Sequence, residues 1–328
     1  MPRRLGLYGP FIALAIAAGA GSLGWLWLKG RAERALDDAA AAPGHPVSWQ
    51  SRRIGGFPFH LAVEFTGLDW RDPSGWGIAV PSLATEASVF APGHWVAVAP
   101  AGAVITRPSG GPLRMTAKVL RASLYDGAAH PPSFSLEALG ATITPAPGAA
   151  PWLLGAAREI HLHTRAGPAD QGAAYVEVDD GVIGGGGVLG ALAGGRPMTL
   201  IADGIYGHAA ALAGPSWAEA VRAWARAGGA LTVRRLRLAA GGFALEAHGT
   251  GLTVGGDGRL EGVLAATLVR APGALGALTV GGAVDPGAAA SAATALAARA
   301  GSEPVSLHFQ AGRTTLGPVA LFPAPKVY

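Results

Sequence analysis

Glu159, His161 and His163 occupy every second position of the segment Glu-Ile-His-Leu-His. In an extended strand the side-chain period is two, so all three project from one face, and imidazoles with a carboxylate are a donor set that metals accept. A polar strand face of this kind serves more often as a solvated or hydrogen-bonded surface. The three residues are the metal candidates of the chain, and the expectation is that no metal is bound. The remaining histidines are scattered, none in a His-Glu-x-x-His pattern. Asp37-Asp38 and Asp179-Asp180 are adjacent acids, and adjacent residues of a strand point to opposite faces, so a general acid–base pair is not expected of them. Turn or surface solvation is the expected role. Gly55-Gly56 and Gly184-Gly185-Gly186-Gly187 lack the Lys-Ser/Thr that a phosphate loop needs, and no Gly-x-Ser-x-Gly elbow occurs. With no cysteine, thiolate catalysis and disulfides are excluded. The sequence predicts a protein that is not an enzyme and takes no cofactor.

The elements that carry these residues begin with an apolar run. Residues 5–28 have no charge; Arg3 and Arg4 precede them, and Lys29, Arg31 and Arg34 follow. As a helix this run reaches ~36 Å, enough for a hydrocarbon core of about 30 Å. A cleaved signal peptide is the competing reading, with a small-residue site at Ala18-Gly19-Ala20. The run exceeds the ~7–15 apolar residues of such peptides, and Trp25 and Trp27 suit an interfacial aromatic belt, which favours retention. The expected arrangement is a single-pass anchor over 1–30 with the N-terminus inside and the body exported.

Composition removes one class of partner. Of 25 Lys and Arg, three (Arg3, Arg4, Lys29) belong to the anchor and its flanks, leaving 22 against 21 Asp and Glu. The densest basic stretch is Arg234-Arg235-x-Arg237, far short of the concentrated face that nucleic acid requires. Gly (51) and Pro (25) are abundant, yet apolar residues make up 50% of the chain and supply material for a core.

Residues 31–42 are strong helix formers closed by Pro43-Gly44 and extend the anchor as a stalk. The period then changes to two: Phe57, Phe59, Leu61, Val63 and Phe65 alternate with polar or small residues as one strand. Further strands are expected at 76–80, 95–99, 102–106, 113–125, 134–144, 158–164, 174–178, 231–238, 243–254, 259–270, 305–309 and 316–322, punctuated by Gly and Pro as in an antiparallel meander. Ser216-Trp217-Ala218-Glu219 is a capping box opening a helix with Trp217, Val221 and Trp224 on one stripe, ended by Gly228-Gly229. Residues 287–300 read as a second, Ala-rich helix. The fold class is therefore mainly β, as long curved antiparallel sheet with a few covering helices, in β-rich halves 31–195 and 196–328. Gly55-Gly56-Phe57 followed by Thr66-Gly67-Leu68 is echoed by Gly241-Gly242-Phe243 followed by Thr250-Gly251-Leu252, which suggests that roughly residues 31–150 and 196–328 are related.

Several phrases in order carry a resemblance: Gly56-Phe57-Pro58-Phe59, the segment Ala91 to Val98, Arg121-Ala122-Ser123-Leu124, Glu159 to Arg165, Gly228-Gly229 with Leu231-Thr232-Val233, and Leu316-Gly317-Pro318-Val319. Over about residues 30–328 the chain resembles the bacterial family catalogued as domain of unknown function 2125. In outline that family is similar to AsmA-like envelope proteins. The resemblance implies an inner-membrane protein with a long curved sheet whose apolar inner face is associated with lipid handling. It brings no catalytic residues.

The function expected is binding or passage of lipid acyl chains in an apolar groove lined by Phe57, Phe59, Leu61, Val63, Phe65, Phe243 and Leu245. The alternative is a non-enzymatic envelope scaffold or assembly factor docking partner proteins through strand edges.

Overall fold

A computed structural model describes residues 5–43, 46–127, 129, 131–184, 190, 193–241, 243–269, 305–316 and 319–328. Helix α1 runs without a break from Leu5 to Ala41, so the apolar run and the stalk are one rod of about 55 Å. It is long and apolar enough to cross a membrane, and only 6% of its most apolar window is buried by the rest of the chain.

After α1 come β1 (Val47–Ser48), β2 (Ser51–Gly55), β3 (His60–Arg71), β4 (Gly77–Ser88), β5 (Ala91–Val98), β6 (Ala103–Arg107), β7 (Gly111–Thr116), β8 (Val119–Tyr125), β9 (Ser133–Pro145), β10 (Leu154–Gly167) and β11 (Gln171–Ile183). The series continues with β12 (Met198–Tyr206), helix α2 (Trp217–Arg226), β13 (Leu231–Ala240), β14 (Phe243–Val254), β15 (Leu260–Val269), β16 (Val305–Gln310), β17 (Arg313–Leu316) and β18 (Val319–Pro323). All eighteen strands belong to one antiparallel sheet. Pairing of β11 with β12 carries it across residue 195.

The meander is interrupted where the β6–β7 hairpin is inserted beside the β5–β8 pair. β4 pairs with β5 over Ala84–Ser88 and with β6 over Gly77–Ala79, while β9 pairs with β8 in its first half and with β7 over Thr142–Pro145. The stretch expected as one strand over 113–125 is therefore split at residues 117–118. Val80, Ala99, Ala103, Met115, Leu120, Ala138 and Ala141 pack into a core cluster where the two hairpins meet. A second cluster gathers Ala247, Leu252, Leu264, Ala266, Leu307 and Phe309, and a third gathers Ala157, Val178, Met198 and Ala240.

Two sequence expectations are corrected here. Phe57 and Phe59 are not in a strand: β3 begins at His60, and residues 57–59 form the turn before it, with a cis Phe57–Pro58 bond. Gly56 enters that turn at φ +94°, where a Cβ would stand 2.6 Å from the His60 carbonyl oxygen, and the His60 amide closes it on the Gly56 carbonyl at 2.9 Å. Only glycine combines that conformation with so close an approach. The strand β12 had no counterpart in the sequence reading, because Met-Thr-Leu-Ile-Ala-Asp-Gly-Ile-Tyr does not alternate. The helix expected at 287–300 lies outside the described residues.

Helix α2 follows its sequence signals. Ser216 caps it by accepting the Glu219 amide at 3.3 Å; the Glu219 carboxylate meets the Ser216 hydroxyl at 3.4 Å. Val221 and Trp224 are buried, and Trp217 is partly exposed. The internal echo falls on matching structure. Gly55-Gly56 closes β2 and Gly241 closes β13, each at a hairpin after a basic strand, and Gly67 and Gly251 both have positive φ within the strand that follows.

Candidate functional site

The C-terminal part of α1 lies over the sheet, and two of its side chains tie it there, Trp25 at the end of the uncharged run and Asp37 in the stalk. The indole N–H of Trp25 donates to the His60 carbonyl at 2.8 Å, and Asp37 pairs with Arg52 of β2 at 2.7 Å. These points are about 18 Å apart along the helix. Arg52 also lies over the Trp49 ring at 5.3 Å, and Trp49 packs on Phe65 with centroids 5.5 Å apart.

Between the two fastenings runs a groove of about 390 Å³. Ala32, Ala35 and Leu36 of α1 form one wall, at i, i+3 and i+4. The floor is Val63 and Phe65 of β3, Thr85 of β4, Trp95 and Ala97 of β5, Ala122, Ser123 and Leu124 of β8, and Phe134 of β9. Its polar side chains are Thr85, whose hydroxyl is already spent on the Val63 carbonyl at 3.1 Å, and the indole of Trp95, while Ser123 pairs with Val96 on the alternate register and borders the groove through its backbone. A slot with so little polar demand suits hydrocarbon rather than a charged or hydrogen-bonding ligand.

Of the residues expected to line a groove, Val63 and Phe65 do so, and Leu61 is buried on the same face of β3. Phe57 and Phe59 stand exposed in the turn beyond it. Phe243 and Leu245 belong to β14, and Leu245 packs on the second core cluster, away from this groove. The sequence reading missed Ala32, Ala35, Leu36, Trp95, Ala97, Leu124 and Phe134. Their signal was present as the small apolar stripe of the stalk and the alternation of β5, but nothing local says that those two surfaces face each other.

The opposite face of the same strands is polar, since His94 and Val96 alternate with Trp95 and Ala97. It carries a cleft of about 400 Å³ with His94, Arg121, Glu137, His161 and His163, and a wider one of about 820 Å³ with His163, Tyr175, Asp203 and Arg234. Their charges are largely paired: Arg121 with Glu137, and Arg234 with Asp203 at 3.9 Å. His161 approaches Glu159 at 3.3 Å, its ring stacks on that of His163 at 6.2 Å, and His163 bonds the Ser135 hydroxyl at 2.8 Å. Among the described residues no three His, Cys, Asp or Glu converge as a metal site. Asp179 and Asp180 form an exposed ion pair with Arg158, whose side chain is 54% exposed. A bulge at Asp180, φ +48°, brings both carboxylates to one guanidinium, that of Arg158, at 3.1 and 2.7 Å.

Fold and groove together define a class: an antiparallel β-body joined to an N-terminal helix of membrane-spanning length, with an apolar slot beneath the stalk. Over residues 25–325 the chain matches the family model described as uncharacterized protein conserved in bacteria (DUF2125), and it belongs to that family. No curated protein and no solved structure matches it.

Proposed function

We propose that this protein is a single-pass protein of the bacterial inner membrane, N-terminus in the cytoplasm and β-body in the periplasm, that binds a lipid acyl chain in the groove beneath the α1 stalk. The observation that carries this reading is the position of the groove. Its helical wall, Ala32 to Leu36, starts about one helical turn beyond Lys29, where the uncharged run ends. A chain leaving the bilayer beside α1 therefore meets apolar surface at once. The size falls within the range of small-molecule sites, and the lining offers hydrophobic transfer rather than polar recognition. Lipid handling of the kind associated with AsmA-like envelope proteins fits such a placement.

The test is photocrosslinking of the full chain in bacterial membranes to a phospholipid whose acyl chain carries a diazirine. Adducts on Trp95, Leu124 or Phe134 that vanish in Ala97→Trp and Ala122→Trp, while adducts on residues 8–28 persist, support acyl binding. Adducts on residues 8–28 with none on Trp95, Leu124 or Phe134 in the native protein overturn it and leave the envelope-scaffold reading.

A further inference from the structure

The turn between β2 and β3 carries Phe57 and Phe59, 58% and 61% exposed, and the turn between β4 and β5 carries Phe90 at 82%. The turns are neighbours: the Val89 amide donates to the Phe59 carbonyl at 3.0 Å, and His60 pairs with Ser88. Hairpin tips facing water ordinarily present Gly, Asn, Asp or Ser, and clustered exposed aromatic rings at one end of a sheet mark an interaction surface.

What covers this surface follows from its height along α1. The Trp25 ring meets Phe57 edge-on with centroids 5.5 Å apart, and its N–H is bonded to the His60 carbonyl at the foot of the same turn. Trp25 lies four residues before Lys29, about 6 Å inside the uncharged run. It is 8% exposed, whereas Leu23, Leu26 and Trp27 around it are 57–69% exposed. The turn is thus packed on the last apolar turn of the helix, the level at which tryptophans of spanning helices meet the headgroups. A structure rigidly fixed to that level cannot stand clear of the bilayer.

We propose that the β2–β3 and β4–β5 turns form an aromatic foot that rests in the headgroup–acyl boundary of the membrane crossed by α1, with Phe59 and Phe90 entering lipid. The inference rests on the anchoring part of the proposed function and is independent of whether the groove is filled. With the foot and α1 both held by the bilayer, the body has two points of support and the groove a constant height.

The chain has no cysteine, so single cysteines can be labelled without background. The full chain would be reconstituted in vesicles of phosphatidylethanolamine and phosphatidylglycerol, with bimane at Phe59→Cys, Phe90→Cys, Ser109→Cys or Leu14→Cys. Ser109 belongs to the β6–β7 turn, at the other end of β4, about 40 Å from the foot. Phospholipid bearing a nitroxide high on its acyl chain is expected to quench the labels at 59 and 90 several-fold more than the label at 109. Quenching at 59 and 90 no greater than at 109, with Leu14 quenched, overturns the foot while leaving the anchor intact. Loss of quenching at Leu14 as well overturns the anchor itself. Labels at 59 and 90 that are shielded from aqueous iodide yet not quenched by the nitroxide lipid also overturn the foot, in favour of a protein partner or a second copy.

Discussion

The Oδ2 oxygen of Asp72 accepts the backbone amide hydrogen of Trp217 at 2.9 Å across 145 residues of sequence. Its Oδ1 oxygen takes the Ser74 amide at 2.6 Å and the Ser74 hydroxyl as well. One carboxylate thus closes the β3–β4 turn and ties it to the first turn of α2, where unpaired amides and the helix dipole favour a negative charge. The Trp217 indole reaches the Val327 carbonyl at 2.8 Å, so the same turn of helix also holds the C-terminal tail. Partial burial raises the Asp72 pKa, but the hydrogen bonds from the Ser74 side chain, the Ser74 amide and the Trp217 amide outweigh it and leave it below the ordinary value.

A carboxylate held low in the folded chain stabilises that chain above the unfolded value of ~3.9, and the contribution is lost as pH falls through the folded value. Asp72→Asn is therefore expected to cost about 1 kcal/mol near neutral pH, the scale of a helix cap. Thermal unfolding followed down to about pH 3 should show the gap between native and variant narrowing. A gap that widens on acidification would contradict this role.

Helix α2 ends with the Gly229 amide on the Trp224 carbonyl and the Gly228 amide on the Ala225 carbonyl, a Schellman closure. A Cβ on Gly229 would lie 2.2 Å from Cε2 of Trp224, whose indole donates to the Gly207 carbonyl at 2.7 Å. Gly229→Ala must displace a buried ring and should cost about 1–3 kcal/mol in urea denaturation. Gly228→Ala meets no neighbour and should cost only the ~1 kcal/mol of its left-handed backbone. The reverse order would show that the ring moves freely.

Asp37 is 65% exposed at its side chain, so its pairing with Arg52 is expected to contribute less than about 1 kcal/mol to stability. Its effect on the groove should be larger, since this ion pair ties the stalk to β2. Asp37→Asn should leave the unfolding transition within ~0.5 kcal/mol of native and lower acyl crosslinking to Trp95 and Phe134. Unchanged crosslinking would mean that the wall is positioned without the Asp37–Arg52 pair.

Tyr206 faces Gly172 on the neighbouring strand, where a Cβ would stand 2.3 Å from its ring, and burial raises the pKa of its hydroxyl. A raised folded value means that its contribution is complete below the unfolded value of ~10 and declines as pH rises through the folded one. Tyr206→Phe should therefore flatten the loss of stability on the alkaline side. Ultraviolet titration should find one tyrosine fewer ionising late. Tyr175, raised first by burial and then by its 2.9 Å bond to Glu177, should still titrate late in the variant.

The parts of the fold legible in the sequence were those that local chemistry encodes. The uncharged run and stalk form one helix in which Pro10 sits near the N-terminal end and no further proline occurs before Pro43, and α2 was announced by Ser216, Glu219 and Gly228-Gly229. Alternation marked Leu61, Val63 and Phe65 correctly, because β3 buries one face only. It overran at Phe57 and Phe59, since two aromatic residues spaced by two look the same in a strand and in a tight turn. The turn is dictated by Gly56, whose close approach to His60 is invisible until the chain has folded back.

The sequence by itself determined the class of structure: an apolar helix of spanning length, an antiparallel β-body, and outside the anchor 22 Lys and Arg against 21 Asp and Glu, with no cysteine. Those properties follow from composition and from periods of two and 3.6 residues, which are local. Only the tertiary structure decided that the stalk lies over β3, β5, β8 and β9, that Trp25 is covered by the Phe57 turn, and that Asp72 caps a helix beginning at Trp217. Each of these joins segments far apart in the chain. A contact of that kind is selected by which apolar faces and hydrogen-bonding groups remain unsatisfied after local structure has formed, and no single window of sequence contains both partners.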